Sequence, residues 1–228
     1  MINMTEAFGK TLVIAPHPDD EVLGAGGTIA RLADAGQDVH IAVVTSGQPP
    51  VYSRESVAQV RSEAKRAHDL LGVRETHWLD QPAAQLSETA HADLNAAIDG
   101  IVQEVAPDTL LIPFAGDIHI DHQLIFLSSM VAVRPTRPAF PKMILAYETL
   151  SETHWNAPYL TPGFHPNAFV EIEDWLPRKL DAMAIFSSQV RAAPHERSLE
   201  ALRALATLRG ANVHCPAAEA FVLVRLVG

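Results

Sequence analysis

The sequence has little cysteine and little basic charge, and it lacks a long hydrophobic run. Cys215 is the one cysteine in 228 residues, so no disulfide can form within the chain. Seventeen Lys and Arg stand against 27 Asp and Glu, which gives a formal charge of −10 and disfavours nucleic acid, whose phosphates bind clustered cations. Residues 1–10 carry no apolar signal segment, and no run approaches the roughly 20 apolar residues of a membrane span. We therefore predict a cytoplasmic protein with no membrane span and no nucleic-acid partner.

Short aliphatic runs alternate with amphipathic stretches along the first 134 residues. The aliphatic runs are typical of buried parallel strands, and the stretches between them have apolar residues at helical spacing. Strands that alternate with helices imply right-handed crossovers and a sheet covered on both faces. The prediction is an α/β fold, a Rossmann-like, doubly wound, mainly parallel sheet, with strands at 11–15, 39–44, 76–79 and 109–113 and helices at 22–35, 55–71, 87–105 and 121–133.

The alternation ends near residue 134. The segment 134–141 contains three prolines, and the segment 151–166 mixes polar, aromatic, proline and glycine residues without a period, as functional or mobile loops do. Late strands are predicted at 169–172 and 221–226, with helices at 176–186 and 198–208. A chain of this length fits one domain, so we expect a single domain over 1–228 with a core at 11–134 and a C-terminal elaboration at 135–228.

The densest polar cluster, Pro-His-Pro-Asp-Asp-Glu at 16–21, follows the first predicted strand. Ligands of open parallel sheets bind at the carboxyl ends of the strands, so this turn is well placed for chemistry. His17 and Asp20 offer an imidazole nitrogen and a carboxylate oxygen, which suit Zn²⁺. Asp19 would lie near such an ion without having to bind it.

A second cluster, Gly-Asp-Ile-His-Ile-Asp-His at 116–122, follows the predicted strand at 109–113. Both turns belong to the same carboxyl edge of the sheet, so they can meet although they are distant in sequence. His119 and His122 would share one face of a helix that begins there, with one imidazole on a metal and the other beside its open position. Three protein ligands and a water make a catalytic zinc site, whereas four make a closed structural one.

These residues also have an interpretation without chemistry. A single histidine is more often a hydrogen-bonded loop residue than a ligand. Asp19, Asp20 and Glu21 could stabilise the positive end of the following helix by about 0.3–1 kcal/mol each. We favour a site because adjacent carboxylates repel each other and because two such clusters follow two predicted parallel strands.

Gly24, Gly26 and Gly27 raise a dinucleotide-binding turn as another alternative. The phosphate-binding glycines of that motif belong directly after Ala15, where this chain has prolines and carboxylates. The second strand also has no ribose-binding acid at its end. We therefore expect these glycines to allow close packing of the first helix.

At these two clusters the sequence resembles the PIG-L/LmbE-like family of zinc-dependent N-acetyl-sugar deacetylases. The resemblance rests on Ala-Pro-His-Pro-Asp-Asp-Glu at 15–21, the Gly-Ala-Gly-Gly that follows, and His-Ile-Asp-His at 119–122. It extends less specifically over most of the chain, including 61–72, 147–155 and 218–221. The resemblance implies that His17, Asp20 and His122 bind zinc, that Asp19 is the general base, and that His119 stabilises the oxyanion or acts as an acid.

General chemistry supports these implied roles. Zinc lowers the pKa of a bound water toward ~7 and polarises a carbonyl, so Asp19 needs only to remove a proton from an acidified water. A protonated His119 would stabilise the oxyanion, and either residue could return a proton to the departing amine. Asp121 has two open interpretations: it accepts a hydrogen bond from His119 and raises the pKa of that imidazole, or it caps the following helix.

Candidate substrate residues are less specific. Arg54 and Arg61 could contact sugar hydroxyls or a phosphate, although a helix arginine is more often a solvated surface group. Arg191 and Arg197 flank His195 in a basic clump that could hold the phosphate of a sugar conjugate. The irregular loop could form an aromatic and polar sugar platform or a packed loop from Tyr147, Glu148, Thr153, Trp155 and Asn167.

We expect a hydrolase that removes the acetyl group from an N-acetylamino sugar, phosphorylated or conjugated, and releases acetate and a free amine. Fe²⁺ or Co²⁺ would suit the same ligands as Zn²⁺, and relatives implied by the resemblance are often homo-oligomers. Two alternatives stay open. One is a catalytically idle metal- or sugar-binding protein of the same fold, and the other is a zinc hydrolase of a different amide or ester.

Overall fold

A computed structural model describes residues 4–137 and 140–228. Residues 1–3 of the expected domain and residues 138–139 of the proline-containing segment lie outside the described residues. Over the described residues the strands are β1 (Thr11–Ala15), β2 (Val39–Ser46), β3 (Glu75–Pro82), β4 (Thr109–Pro113), β5 (Met143–Tyr147), β6 (Ala168–Glu171) and β7 (Ala218–Leu226). The α-helices are α1 (Met4–Phe8), α2 (Asp20–Asp34), α3 (Arg54–Leu71), α4 (His91–Val105), α5 (Ile120–Ala132), α6 (Leu176–Ile185) and α7 (Leu199–Asn212).

The described strands form one sheet in the order β3-β2-β1-β4-β5-β7-β6. The five strands from β3 to β5 are parallel, and β7 runs antiparallel to both β5 and β6. Helices α2, α3, α6 and α7 pack on one face, while α4 and α5 pack on the other. The predicted α/β fold with a mainly parallel, doubly covered sheet is confirmed.

Strand β1 shows why the central strands of the sheet have continuous apolar sequences. All five of its residues are buried. Val13 and Ala15 face the core under α2 and α3, whereas Leu12 and Ile14 face the core under α4 and α5, because side chains alternate across a strand. A strand with helices on both faces has no solvent side, so it carries no polar alternation.

The sequence prediction omitted β5. Its run Met-Ile-Leu-Ala-Tyr is only five residues long, and periodicity cannot distinguish so short an apolar run from a buried helix segment. The strand lies between β4 and β7. The segment after residue 135 therefore supplies β5, β6 and β7 to the same sheet as the first four strands. Among residues 4–137 and 140–228, no helix combines the length and apolarity needed to cross a bilayer.

Glycines of α2 allow the close packing expected of them. A Cβ at Gly24 would overlap Cδ2 of the Tyr147 ring, and a Cβ at Gly27 would lie 2.7 Å from Cδ1 of Ile172. Real side chains do not tolerate such contacts. These positions must therefore lack a side chain for α2 to approach β5 and the segment before α6.

A buried ion pair joins α7 to the end of β5. Glu148 is 4% exposed, and its carboxylate accepts hydrogen bonds from Arg209 Nε at 2.7 Å and from His154 Nε2 at 3.1 Å. Burial raises the pKa of Glu148, but these hydrogen bonds outweigh it and lower that pKa below its usual value. A carboxylate with a lowered pKa stabilises the fold above its unfolded pKa of about 4.3, and this contribution is lost as the pH falls.

We predict that Arg209→Met lowers the free energy of unfolding by about 3 kcal/mol at pH 7, because it leaves a buried carboxylate without its main partner. Protonation of Glu148 removes the charge that needs a partner, so the difference in unfolding free energy between the variant and the wild type should shrink below pH ~4.3. Urea unfolding at pH 7 and in acid measures both effects. Arg203→Met is the matched control, since Arg203 is exposed on the same helix. A gap that widens in acid would contradict this assignment.

Candidate active site

The two polar clusters meet at the carboxyl edge of the sheet. Strands β1 and β4 are parallel neighbours, with Thr11 paired to Thr109, so the turns that follow them emerge side by side. The ring centroids of His17 and His122 are 5.3 Å apart, and those of His17 and His119 are 4.6 Å apart. The register of the central strands thus brings together residues that are about one hundred positions apart in the sequence.

His17, Asp20 and His122 form a compact group of ligand atoms. Asp20 Oδ2 lies 3.2 Å from His17 Nδ1 and 3.2 Å from His122 Nε2. Asp20 and His122 are fully buried, and His17 is 22% exposed. A second group that shares His17 consists of His119 and Asp121, and each group has one ligand atom per residue within 4.8 Å of the others. The geometry therefore offers two possible ligand sets around one imidazole.

The first group fits a divalent cation. Among the described residues, Asp20 Oδ1 and His122 Nε2 are buried without a hydrogen-bond partner, and unpaired buried polar atoms are costly. Burial lowers the pKa of His122, but Asp20 and Asp117 outweigh it and raise that pKa to about 10. Carboxylates that favour a positive charge on an imidazole favour a cation at the same place. One carboxylate and two imidazoles are also the donor types of catalytic zinc sites.

Asp117 orients His122 and had no role in the sequence interpretation. Its Oδ2 accepts a hydrogen bond from His122 Nδ1 at 2.8 Å, and its Oδ1 accepts one from the Thr153 hydroxyl at 2.6 Å. A carboxylate on one ring nitrogen directs the lone pair of the other nitrogen toward a metal. The sequence feature that could have indicated this role is the position of Asp117 in the same turn, five residues before His122.

Asp19 has an unusual backbone and a charged partner. Its φ of +120° lies in a region that favours glycine, and such strain is often retained at functional sites. Its amide donates to Glu21 Oε2 at 3.2 Å, and its Oδ2 accepts from Arg197 Nη1 at 3.1 Å. Burial raises the pKa of Asp19 to about 8, and the guanidinium of Arg197 opposes that rise.

A buried chain of hydrogen bonds supports this turn from behind. Glu21 Oε1 lies 2.8 Å from His68 Nε2, and His68 Nδ1 lies 2.8 Å from the Thr76 hydroxyl. Because the other carboxylate oxygen of Glu21 accepts the Asp19 amide, the chain links the strained turn to α3 and β3. The sequence interpretation of Glu21 as a helix-terminal acid did not include His68, which lies 47 residues away.

Both interpretations of Asp121 were wrong. His119 Nδ1 is 4.0 Å from Asp121 Oδ2, too far for the predicted hydrogen bond. His119 rather than Asp121 caps α5, since its Nδ1 accepts the Asp121 amide at 3.1 Å. The Asp121 carboxylate accepts the Ala84 amide at 2.7 Å and lies 3.2 Å from His17 Nε2. Burial and the charge of His17 lower the pKa of His119, and the charge of Asp121, which raises that pKa as expected, does not outweigh them.

The acceptor role of His119 has a chemical consequence. An imidazole whose Nδ1 accepts an amide proton carries its own proton on Nε2 when it is neutral. His119 lines a cavity of about 400 Å³, together with His17 and Asp19. A neutral His119 can therefore donate a hydrogen bond from Nε2.

The predicted arginines are distributed around this cavity. Arg61 and Arg197 line it, whereas Arg54 lines an adjoining open cleft together with Arg61. The guanidinium of Arg197 contacts Asp19, Glu152 and the Ser151 hydroxyl. Arg191 is exposed and donates to the backbone carbonyls of residues 188 and 190.

The loop residues singled out in the sequence differ in their exposure. Tyr147 is the last residue of β5, fully buried, and its hydroxyl donates to the Ile14 carbonyl at 2.7 Å. Asn167 accepts the amide of Leu223. Trp155 is 53% exposed, and its ring centroid lies 5.6 Å from that of His195. The packed-loop interpretation is therefore correct for Tyr147, whereas Asn167 and Trp155 are exposed.

A mainly parallel sheet with a His-Asp-His cluster and an open cavity at the carboxyl edge of its parallel strands defines an α/β protein with a candidate metal centre. A family model described as PIG-L, GlcNAc-PI de-N-acetylase, matches residues 12–133, which is more than half of the chain. The chain belongs to the PIG-L family. The resemblance inferred from the two polar clusters is confirmed.

Known proteins similar to the chain include an enzyme and two solved structures. A diacetylchitobiose deacetylase of Thermococcus kodakarensis is 31% identical over 191 residues, which cover 79% of this chain and 70% of that protein. The crystal structure of the conserved protein TT1542 from Thermus thermophilus is 24% identical, with 96% of each chain covered and a TM-score of 0.79. GalB, the 4-carboxy-2-hydroxymuconate hydratase of Pseudomonas putida KT2440, is 20% identical, with a TM-score of 0.76 over 96% of this chain and 98% of that one. At these identities the two structures show the shared fold.

Proposed function

We propose that the protein is a metal-dependent hydrolase that removes the acetyl group from an N-acetylamino sugar or a conjugate of one. The observation that carries the proposal is the arrangement of His17, Asp20 and His122, whose ligand atoms lie within 4.8 Å of one another. Asp20 Oδ1 and His122 Nε2 are buried without a hydrogen-bond partner, and His17 lines an open cavity together with Asp19. Membership of a family described by de-N-acetylation and similarity to a diacetylchitobiose deacetylase support this reaction.

His17, Asp20 and His122 would hold the ion, with Zn²⁺ favoured by two imidazoles and Fe²⁺ or Co²⁺ also suited to them. Such an ion would acidify a water and polarise the acetyl carbonyl. Asp19 accepts the proton of the attacking water. Arg197 favours the ionised form of Asp19 that this step requires, and a cation bound beside it would lower the pKa of Asp19 further. Asp117 and Thr153 keep the His122 ring in its orientation.

His119 lies where it can stabilise the negative charge that develops on the acetyl oxygen. With its Nδ1 fixed by the Asp121 amide, its Nε2 is free to donate, and a donor aimed at an oxyanion is strengthened in the transition state. Asp19 then holds the proton that the departing amine needs. The Asp121 carboxylate positions His17 by its contact with Nε2.

The hydratase with the same fold shows why the reaction needs its own test, because one fold supports different chemistries. The decisive assay measures primary-amine release from a panel of N-acetyl sugars, phosphorylated and conjugated forms included, beside acylated amines that contain no sugar. The proposal predicts amine and acetate in equal amounts from at least one sugar. Amine release from non-sugar amides alone would indicate a hydrolase of a different amide. No release from any substrate would indicate a catalytically idle binding protein.

Arg61 is the predicted sugar contact that the cavity favours. Its guanidinium lies over the Trp78 ring, 4.6 Å from the centroid, and pairs with Asp80. These contacts hold the guanidinium at the wall of the cavity, where its remaining donors can reach sugar hydroxyls or a phosphate.

We predict that Arg61→Met raises KM for the sugar roughly tenfold or more and leaves kcat nearly unchanged. A hydrogen bond to a charged group contributes about 1.5–3 kcal/mol, and loss of uniform binding appears in KM. Steady-state kinetics measure the split. Arg66→Met is the matched control, because Arg66 is an exposed residue of the same helix. An unchanged KM would show that Arg61 is a solvated surface group and not a sugar contact.

A further inference from the structure

The amino end of the sheet carries a second cluster of metal-ligand side chains. His40 is near the start of β2, and Glu75 and His77 belong to the edge strand β3. His40 is paired with Glu75 across the parallel ladder, and residues two apart in a strand share a face, so all three side chains lie on one face. At about 3.3 Å per residue, His40 is roughly 20 Å from Ser46 at the catalytic end of β2.

The two imidazoles have the spacing of ligands on one ion. His40 Nδ1 and His77 Nε2 are 3.2 Å apart, and Glu75 Oε2 lies 3.9 Å from the same His77 nitrogen. One ligand atom from each residue lies within 4.8 Å of the others. Two nitrogens bonded at 2.0–2.1 Å to a tetrahedral zinc are roughly 3.3 Å apart. The observed separation therefore needs almost no rearrangement to accommodate a cation.

The surroundings also favour a cation. Glu104 Oε1 lies 3.9 Å from His77 Nδ1, the ring nitrogen that faces away from His40. This distance is too long for a hydrogen bond, but the negative charge of Glu104 beside His77 favours a cation on the other ring nitrogen. Asp38 and Glu75 add negative charge, which Lys10 partly offsets.

We propose that His40, His77 and Glu75 form a second divalent-cation site of the Zn²⁺ class, separate from the catalytic centre. Two imidazoles and a carboxylate leave a fourth position for water, and ligands of this softness select Zn²⁺, Ni²⁺ or Cu²⁺ over Mg²⁺ and Ca²⁺. The ion would tie the edge strand β3 to β2. The alternative is a direct hydrogen bond between the two imidazoles.

Titration of chelator-treated protein with ZnCl₂, followed by calorimetry and metal analysis, tests the site. We expect two equivalents per chain in the wild type and one in His40→Gln or His77→Gln, with any deacetylase activity unchanged. His91→Gln is the matched control and should keep both equivalents, since His91 is exposed outside the cluster. A zinc content at large excess that is the same in the wild type and in His40→Gln would overturn the proposal, whether the wild type binds one equivalent or two.

Three further measurements test this site independently of the catalytic one. His122→Ala should keep the second equivalent, so a failed deacetylase assignment leaves this result interpretable. Glu104→Gln should weaken the second equivalent about tenfold without changing the first. Excess zinc should also raise the Tm of the wild type more than that of the His40→Gln/His77→Gln double variant, because only the wild type gains a link between β2 and β3. Equal shifts would contradict a link between the strands.

Discussion

Asp19→Asn is expected to slow acetate release by about 10²- to 10⁴-fold, the usual contribution of a positioned general base. The amide keeps the size of the side chain and can still contact Arg197, but it cannot take a proton from water. The strained backbone at φ +120° tolerates asparagine better than most residues. The variant should therefore fold and retain its metal.

The informative result for Asp19→Asn is the combination of lost turnover and unchanged zinc content. Steady-state amine release and metal analysis of the same preparation measure the two quantities. Asp38→Asn is the matched control, because Asp38 is a half-buried acid of the loop before β2, at the far end of the sheet. A rate of amine release within twofold of the wild type would show that Asp19 is not the general base. Loss of zinc with the rate would make Asp19 a ligand instead.

His122→Ala is expected to lose one equivalent of zinc and to reduce amine release to background. The substitution removes a fully buried ligand. It also leaves the carboxylates of Asp20 and Asp117 buried without the imidazole that contacts them. Breaking a buried charge pair costs about 3–5 kcal/mol, so the Tm should fall as well. Added zinc should not restore activity, because the ligand set is incomplete.

His119→Ala distinguishes the two ligand sets that share His17. If His17, Asp20 and His122 bind the ion, this variant keeps its zinc. It loses the donor to the oxyanion, which is worth roughly 10²–10³ in kcat, together with the side-chain cap of α5. If the ion lies among His17, His119 and Asp121, the same variant loses zinc, and His122→Ala keeps it. Metal analysis of both variants therefore identifies the set directly.

The fold was largely predictable because its central strands have no solvent face. In β1 and β4 every residue is buried, which produces the short aliphatic runs seen in the sequence. The turn after each run then carries the polar residues, so adjacency in a parallel sheet was enough to place His17 near His122. Strand β5 was missed because five apolar residues after a proline-containing segment carry no distinctive period.

The supporting contacts of the site were beyond reach of the sequence. Asp19 pairs with Arg197, which lies 178 positions later in the sequence, in a segment without regular structure. Sequence patterns indicated that Arg197 belongs to a basic clump but not which carboxylate it meets. The error at Asp121 has a similar cause, because which of two adjacent side chains caps α5 depends on ring orientation.

The metal assignment is tested most directly by diffraction from zinc-loaded crystals recorded on either side of the zinc absorption edge. We predict an anomalous peak about 2.0–2.2 Å from an imidazole nitrogen of His17, a carboxylate oxygen of Asp20 and Nε2 of His122, with Asp19 beside it. A peak bonded to His119 and Asp121, or the absence of a peak at this edge of the sheet, would contradict the catalytic centre described above.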